Sequence, residues 1–353
     1  MNQVLLAGLL LLFSLCATAQ QMVFIFVPPR EPVEVFGNAW QIYADGKIDA
    51  NAAGRLDSLI KERDIPARSQ LSLNSNGGSL LGGIALGRVI RKHGLYTDVV
   101  KRGREIIEKP IEKIERSYQK LPGECFSACA FAYIGGTFRF FDKSAKFGVH
   151  RFYSKGEELG ADSAQVASGV LIAYIGEMGV NQDLYAEMTK AGRDDLNILS
   201  PQQLTSLGIV NNGDAKAVWS IESAGNAVYL KGERETARGI NKFMVVCSGK
   251  TPYLHVIFDP EGRGEQLLDM EAHSLLLDDE VLPISNFRVG KQTIVNGWIN
   301  VDYKLSPALV TKLQSARSVG IAFQYVTTAP VFYGFRGMEM DSQKLRAYLG
   351  TCR

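Results

Sequence analysis

The segment from Leu71 to Val100 constrains the fold more than any other stretch of the chain. Leu71 to Leu73 is a short apolar strand that runs straight into Asn74-Ser75-Asn76-Gly77-Gly78-Ser79. A helix from Leu80 to His93 follows and stops at Gly94, a residue suited to the left-handed position after a last helical turn. Tyr96 to Val100 is strand-like again. Upstream, Met22 to Val27 (MVFIFV) is an unbroken apolar run, and Gln41 to Ile48 reads as a strand and turn. Asn51 to Arg63 carries Leu56, Leu59 and Ile60 on one helical face. Strands alternating with helices at this spacing predict a parallel sheet with crossover helices.

Downstream the texture changes twice. Lys101 to Lys120 is dense in both signs of charge, with Ile106, Ile107, Ile111 and Ile114 interspersed. Glu105/Lys109 and Glu112/Arg116 are i,i+4 pairs in the favourable order, which predicts a solvated surface helix kinked at Pro110. A lid or an oligomer contact is the sharper alternative. Phe126 to Ile134 (FSACAFAYI) is apolar and small, as a buried helix requires. Arg139 to Phe141 and Lys146 to His150 suggest short strands, Ser163 to Ala191 reads as helical, and Ser200-Pro201 opens a further helix. From about Ala215 the chain becomes β-rich, with strand-like runs at 218–221, 227–230, 242–247, 253–258, 293–302 and 319–326. One helix, Pro307 to Ala316, interrupts them after Ser306, an N-cap residue type. Lys242 onward is expected to form a sandwich.

Residues 1–19 carry no charged side chain; Val4 to Cys16 is apolar except for Ser14, and Ala17-Thr18-Ala19 precedes Gln20. This run is short for a bilayer span and lacks a stop-transfer flank, so it is expected to be a removed export signal. Acylation at Cys16 is the weaker alternative, because Leu15 sits where a small residue is needed. Removing Cys16 leaves Cys125, Cys129, Cys247 and Cys352. An even number in an oxidising compartment favours disulfides, with Cys125 grouped to Cys129 and Cys247 to Cys352. The second pair would close a long loop worth roughly 4–5 kcal/mol in the chain-entropy view. In an ideal helix the Cβ atoms of Cys125 and Cys129 would sit too far apart to bond, so that bridge requires a bend where a loop meets a helix. Zinc competes poorly, since no CxxC pair or neighbouring Cys/His completes a ligand set.

Hydrophobic residues make up 46% and charged residues 22%, with a formal net charge of +2. That composition is globular and offers no bulk attraction to nucleic acid or to an anionic membrane.

Three local features carry chemistry. The Gly77-Gly78 turn follows a buried strand and opens a helix, exposing backbone N–H groups to an oxyanion. Ser127 lies at the start of a buried helix between Cys125 and Cys129, with the Ala128 N–H beside it. His150 ends a strand. The other histidines read as structural: His93 at a helix end, His255 in an alternating strand, and His273 without a set of partner ligands. The acidic turn Asp278-Asp279-Glu280 reads as a solvated loop rather than a calcium site.

In this order the features resemble the proteolytic subunit of Clp protease within the ClpP/crotonase superfamily, over roughly Gly46 to Asn211. The resemblance lies in Asn74 to Ser79, in Gly123 to Cys129 and in Gly148 to Phe152. It continues into Leu199 to Leu204 with Gly208-Ile209-Val210. It implies an α/β spiral core of parallel sheet, expected over 20–214 with the charged insertion 101–120; the change of texture near Ala215 predicts that a smaller β-rich domain follows over 215–353. It also implies an exported serine peptidase, periplasmic or secreted, acting on peptide or protein without cofactor or metal and without stable membrane insertion. Ser127 would be the nucleophile, His150 the general base, and Gly78 and Ala128 the oxyanion donors. Asp195 occupies the place of the third triad member, with Asp194 and Asn197 as rivals. Relatives assemble into rings, which implies self-association. Asn76 stands where the family has proline, and the insertion immediately precedes the nucleophile segment. The alternative is an inactive ClpP-like binding or assembly module; an acyl-CoA enzyme of crotonase type is a distant third.

Overall fold

The computed structural model describes residues 21–29, 39–108, 115–153, 160–329 and 331–352. The expected export signal, its cleavage point and Cys16 lie outside the described residues, as does most of the expected Glu112/Arg116 pairing.

The architecture is α/β in the first half and β-rich in the second. Strands β1 (Val23–Val27), β2 (Gln41–Asp45), β3 (Gln70–Asn74) and β4 (Tyr96–Asp98) form one sheet in that order. β2, β3 and β4 are parallel, joined by crossover helices Ala52–Glu62 and Leu80–Lys92, whereas β1 is antiparallel to β2. The sheet is therefore mixed, not purely parallel as the sequence pattern suggested.

The segment expected as a charged helix is a hairpin, β5 (Val100–Glu108) with β6 (Glu115–Pro122); its tip lies outside the described residues. Each i,i+4 ion pair contributes only about 0.3–0.5 kcal/mol, which is too little to hold a helix against a strand ladder and Pro110. Tertiary contacts decide instead. Tyr118 meets Tyr43 edge-on at 5.7 Å, and the Arg102 guanidinium lies 4.8 Å from the Tyr118 ring. The hairpin so covers the face of β2 and β3 that carries Tyr43 and Ser72, both buried.

Strands β7 (Glu124–Phe126), β8 (Lys146–Val149) and β9 (Asn197–Ile198) make a second small sheet; β7 is parallel to β8, and β9 is antiparallel to it. The helix Ala128–Ile134 follows β7 and is wholly buried. The long helix expected from Ser163 is two helices, Ala161–Glu177 and Asp183–Thr189, because Gly179 (φ 68°) ends the first. Arg139, expected in a strand, makes only an isolated bridge to Thr97. No helix among the described residues is long and apolar enough to cross a membrane.

The second half builds a six-stranded antiparallel sheet, in which β10 (Val218–Ala224), β11 (Ala227–Thr236), β12 (Gly239–Ser248) and β13 (Thr251–Phe258) are followed in space by β17 (Trp298–Lys304) and β16 (Thr293–Val295). A four-stranded antiparallel sheet takes the order β15 (Glu280–Pro283), β14 (Ala272–Leu277), β18 (Ser318–Gln324), β19 (Tyr333–Glu339). Alternate residues of β12 are buried, as a half-buried strand demands. Phe243, Val245, Leu254 and Val256 from one sheet share a core with Leu275, Val319, Ile321 and Phe323 from the other. Each such side chain contributes roughly 1.5–3 kcal/mol on burial. The first half has its own core, running from Met22 to Val210.

Candidate functional site

The site is assembled where β3 leaves its sheet. Ser75 N–H donates to the Glu124 carbonyl (2.7 Å), and Phe126 N–H donates back to Ser75 (3.0 Å), so the turn after β3 is stitched to β7. On its other side the turn is held to Ile48, through Ile48 N–H to Gly77 C=O (2.9 Å) and Ser79 N–H to Ile48 C=O (2.8 Å). The Gly78 N–H is not used by that bridge. Gly78 has φ 149°, and a Cβ there would lie 2.0 Å from the Ile48 oxygen. A Cβ on Gly77 (φ 97°) would lie 2.8 Å from Ser127 Cβ. Only glycine lets this backbone touch the serine turn. Ser79 then caps the next helix, its Oγ accepting from Gly82 N–H.

Ser127 occupies the junction of β7 and the helix Ala128–Ile134, with φ 56° and ψ −120°. A non-glycine residue in such a conformation is strained by about 1–3 kcal/mol and persists only where its surroundings over-determine it. Hydrolases that expose a serine on a sharp strand-to-helix turn use the same device. Here Ser127 N–H donates to Gly148 C=O (2.9 Å), and the Cys125–Cys129 disulfide closes around the turn. Ala128, as the first helical residue, has no i−4 partner for its N–H within the helix.

The helix is fixed along its length as well. Gly83 and Gly87 of the preceding helix let it approach closely: a Cβ on Gly83 would meet Ala128 O at 2.3 Å, and one on Gly87 would meet Phe131 O at 2.5 Å. At its far end Arg91 Nε donates to Gly135 O (2.8 Å), and buried Arg139 donates to Gly136, Gly208 and Ile209 carbonyls. Burial without a carboxylate partner pushes Arg139 down to about 10.

β7 pairs with β8 so that Phe126 faces Gly148, and His150 follows the end of β8. His150 Nδ1 lies 2.7 Å from the Arg151 carbonyl oxygen. A carbonyl only accepts, so Nδ1 carries the proton and Nε2 is left as the basic nitrogen. The imidazole stacks on Tyr153 (5.8 Å), which in turn lies under the Arg193 guanidinium at 4.6 Å.

Ser127 and His150 line the same cavity, of about 1250 Å³, together with Gly77, Gly78, Phe131, Val149, Phe152 and Met188. A shallower depression of about 370 Å³ also contains Ser127 and His150 and adds Asp194 and Asp195 at the rim. Among the described residues no hydrogen bond joins Ser127 to His150, or His150 to Asp195; the imidazole proton goes to Arg151 C=O instead. Asp194 and Asp195 are exposed, and the Asn197 amide is committed to Glu187. An orienting main-chain carbonyl has no signature in a sequence, which is why only side-chain acids stood as candidates there.

Charge around the cavity is uneven. Asp49 is bound to Arg55 (2.6 Å), which holds its carboxyl down to about 2, and Glu124 is bound to Lys146 (2.9 Å). Lys47 and Lys101 line the same cavity without a carboxylate partner among the described residues. Lys101 arrives from the base of the β5–β6 hairpin, together with Pro122.

The remaining candidates lie elsewhere. Cys247 is bonded to Cys352 in the β-rich half. His93 Nε2 contacts Asp57 (2.7 Å), and His255 Nδ1 contacts Asp302 (2.8 Å). His273 is fully buried between Met270 O and Tyr303 OH. Asp278 anchors the β14–β15 turn by accepting from Arg317 and Ser318 N–H. Among the described residues no group of three His, Cys, Asp or Glu is placed to hold a metal ion.

No protein-family model matches the chain, and no curated protein matches it. Among solved structures the chain is similar to a mutant of the 1510-N membrane-bound stomatin-specific protease, with 16% identity and a TM-score of 0.33 over 48% of this chain and 75% of that one. It is also similar to ClpP1 from Listeria monocytogenes, with 17% identity and a TM-score of 0.34 over 47% of this chain and 85% of that one. A mutant of the same Listeria protein gives 18% identity and a TM-score of 0.33 over the same shares.

Proposed function

We propose that the chain is a serine hydrolase of ClpP-like type, acting as a peptidase, with Ser127 as nucleophile and His150 as general base. The observation that carries this reading is the strained Ser127 turn, which opens into one cavity with His150 and the Gly77-Gly78 turn. As Ser127 Oγ bonds to a carbonyl carbon, its proton passes to His150 Nε2. The carbonyl oxygen becomes an oxyanion, and Gly78 and Ala128 N–H donate to it. Collapse breaks the bond to the leaving amine, which takes the proton from His150 and departs. Water then repeats the sequence on the acyl-serine and regenerates Ser127. Arg151 C=O holds the imidazole tautomer, and Asp195 contributes charge from the rim.

The two separate cores support division near residue 214, the first part carrying the site. Uncharged residues 1–19 and the paired cysteines support export to an oxidising compartment, periplasmic or external. Val166 and Val170, exposed on the helix Ala161–Glu177, support self-association.

A fluorophosphonate probe tests the reading. It is expected to label the wild type on Ser127 and to leave Ser127→Ala unlabelled; equal labelling of both overturns it. The second reading, a non-catalytic module, is favoured by the missing Ser127–His150 hydrogen bond and predicts no labelling at all. Unliganded hydrolases commonly show such bonds long or misaligned, so the open geometry leaves catalysis in place.

A further inference from the structure

We propose that the Cys125–Cys129 disulfide is a positioning device for Ser127: it holds the nucleophile in its strained backbone conformation, beyond any contribution to overall stability. The inference rests on the hydrolase reading of the same site. Cys125 sits in the middle of β7, Cys129 in the first turn of the following helix, and Ser127 lies midway between them. Their Cα atoms are 5.1 Å apart, whereas four residues of extended chain would span roughly 13 Å. The bridge therefore excludes an extended chain here and closes a tight turn centred on Ser127, whose φ of 56° and ψ of −120° are not helical.

Main-chain bonds hold this turn on both sides, but on the C-terminal side the only one at Ser127 among the described residues is local, from Ala130 N–H to Ser127 C=O (3.0 Å), within the turn that the serine opens. Phe126 N–H is tied to Ser75 and Ser127 N–H to Gly148, both before the Ser127 φ and ψ rotations. On the C-terminal side the first helical residues are held by packing against Gly83 and by the sulfur bridge. Without the bridge, the turn loses its covalent restraint, and strain favours relaxation of Ser127 toward an ordinary helical or extended conformation. Relaxation rotates Oγ and the Ala128 N–H away from the Gly78 turn while the core side chains Phe131, Tyr133 and Ile134 keep their places. Cys125 and Cys129 are fully buried, so the bridge is inaccessible to bulk thiols in the closed fold.

The test compares Cys125→Ala/Cys129→Ala with Cys247→Ala/Cys352→Ala and with the wild type. It reads the second-order rate of fluorophosphonate labelling at Ser127, the pH profile of that rate, and the far-ultraviolet spectrum. The first variant is expected to keep its secondary structure and the midpoint of its pH profile, while its rate falls about ten- to a hundredfold, the rate equivalent of the released strain. The second variant is expected to lose thermal stability and keep its rate. Should the first variant fail to fold, wild type reduced by phosphine in denaturant and returned to buffer serves instead, with the open cysteines identified by alkylation. There, loss of rate that returns on reoxidation supports the inference, and an unchanged rate with Cys125 and Cys129 alkylated overturns it. Wild-type labelling matched by the folded first variant overturns this inference alone. No labelling of wild-type Ser127 overturns the hydrolase reading and this inference with it.

Discussion

Ser127 and Gly148 are joined by a main-chain hydrogen bond of 2.9 Å, from the serine N–H to the glycine carbonyl. The bond ties the turn that presents the hydroxyl to the strand that delivers His150 two residues later. The proposed nucleophile and base, from separate segments, so share one frame. Their relative placement depends on strand register, which the parallel pairing of β7 and β8 sets.

His150→Ala is expected to slow labelling of Ser127 by about 10²–10⁴-fold, the usual range for loss of a general base. Asp195→Asn is expected to slow it by less than about tenfold, because the Arg151 carbonyl already fixes the imidazole tautomer. Inactivation rates of the two variants measured side by side check this. If Asp195→Asn proves as damaging as His150→Ala, the carboxylate and not the carbonyl orients the base.

Gly78→Ala is expected to disable the oxyanion side of the site. The new Cβ would lie 2.0 Å from Ile48 O at a φ of 149°, so the turn must move and carry its N–H away. Loss of one such donor lowers the rate by about 10²–10³-fold. Gly54→Ala is the control: a Cβ there meets nothing within 4 Å, and alanine in a helix stabilises by roughly 0.5–1 kcal/mol. Thermal melts and labelling rates separate the two effects.

Lys47 and Lys101 give the cavity positive charge that no carboxylate among the described residues takes up, since Asp49 and Glu124 are engaged by Arg55 and Lys146. A probe ending in a carboxylate is expected to bind before inactivation several-fold more tightly than its methyl ester. Lys47→Gln/Lys101→Gln and high salt should each abolish the difference, because exposed charges are screened within roughly 10 Å at ordinary ionic strength. A preference that survives both would place the recognition elsewhere.

The crossover from β3 to β4 was legible because its punctuation is local: a glycine turn, an N-cap serine and the terminal Gly94 each act within a few residues. Ser127 and His150 stood out through their neighbours in the chain. The β5–β6 hairpin was not legible, since paired charges and scattered isoleucines fit a helix until Tyr43 and Tyr118 are known to meet. Gly179 did carry a stop signal inside the long helical run, and the apolar periodicity on both sides obscured it. β14, β15 and β19 carry no clear local signal, because their strand character comes from pairing with β18 or within the β14–β15 hairpin.

His273 should make the β-rich half sensitive to acid. Its Nε2–H donates to Met270 O (2.8 Å), so Nδ1 accepts from Tyr303 OH (2.7 Å), and the ring stacks on Phe323 at 3.9 Å. Both nitrogens are satisfied in the neutral form. Burial pushes the imidazole down to about 4; the hydrogen bond to Met270 O opposes this, Arg288 adds to it, and Glu271 opposes it. The unfolded chain takes up this proton near pH 6.5 and the folded chain only near 4, so protonation favours unfolding across that interval. Stability from this group is complete above about pH 6.5 and is lost as the pH falls toward 4, by about 3 kcal/mol at 1.36 kcal/mol per unit. The pairing of Asp49 with Arg55 responds in a lower range, between its ordinary value and about 2. Urea unfolding of the whole chain, followed through Trp219 and Trp298 fluorescence, should show the wild type weakening through this interval. His273→Gln should be weaker at pH 7 and flatter from pH 6.5 to 4. Parallel curves for the two proteins would mean that His273 is not the group being titrated.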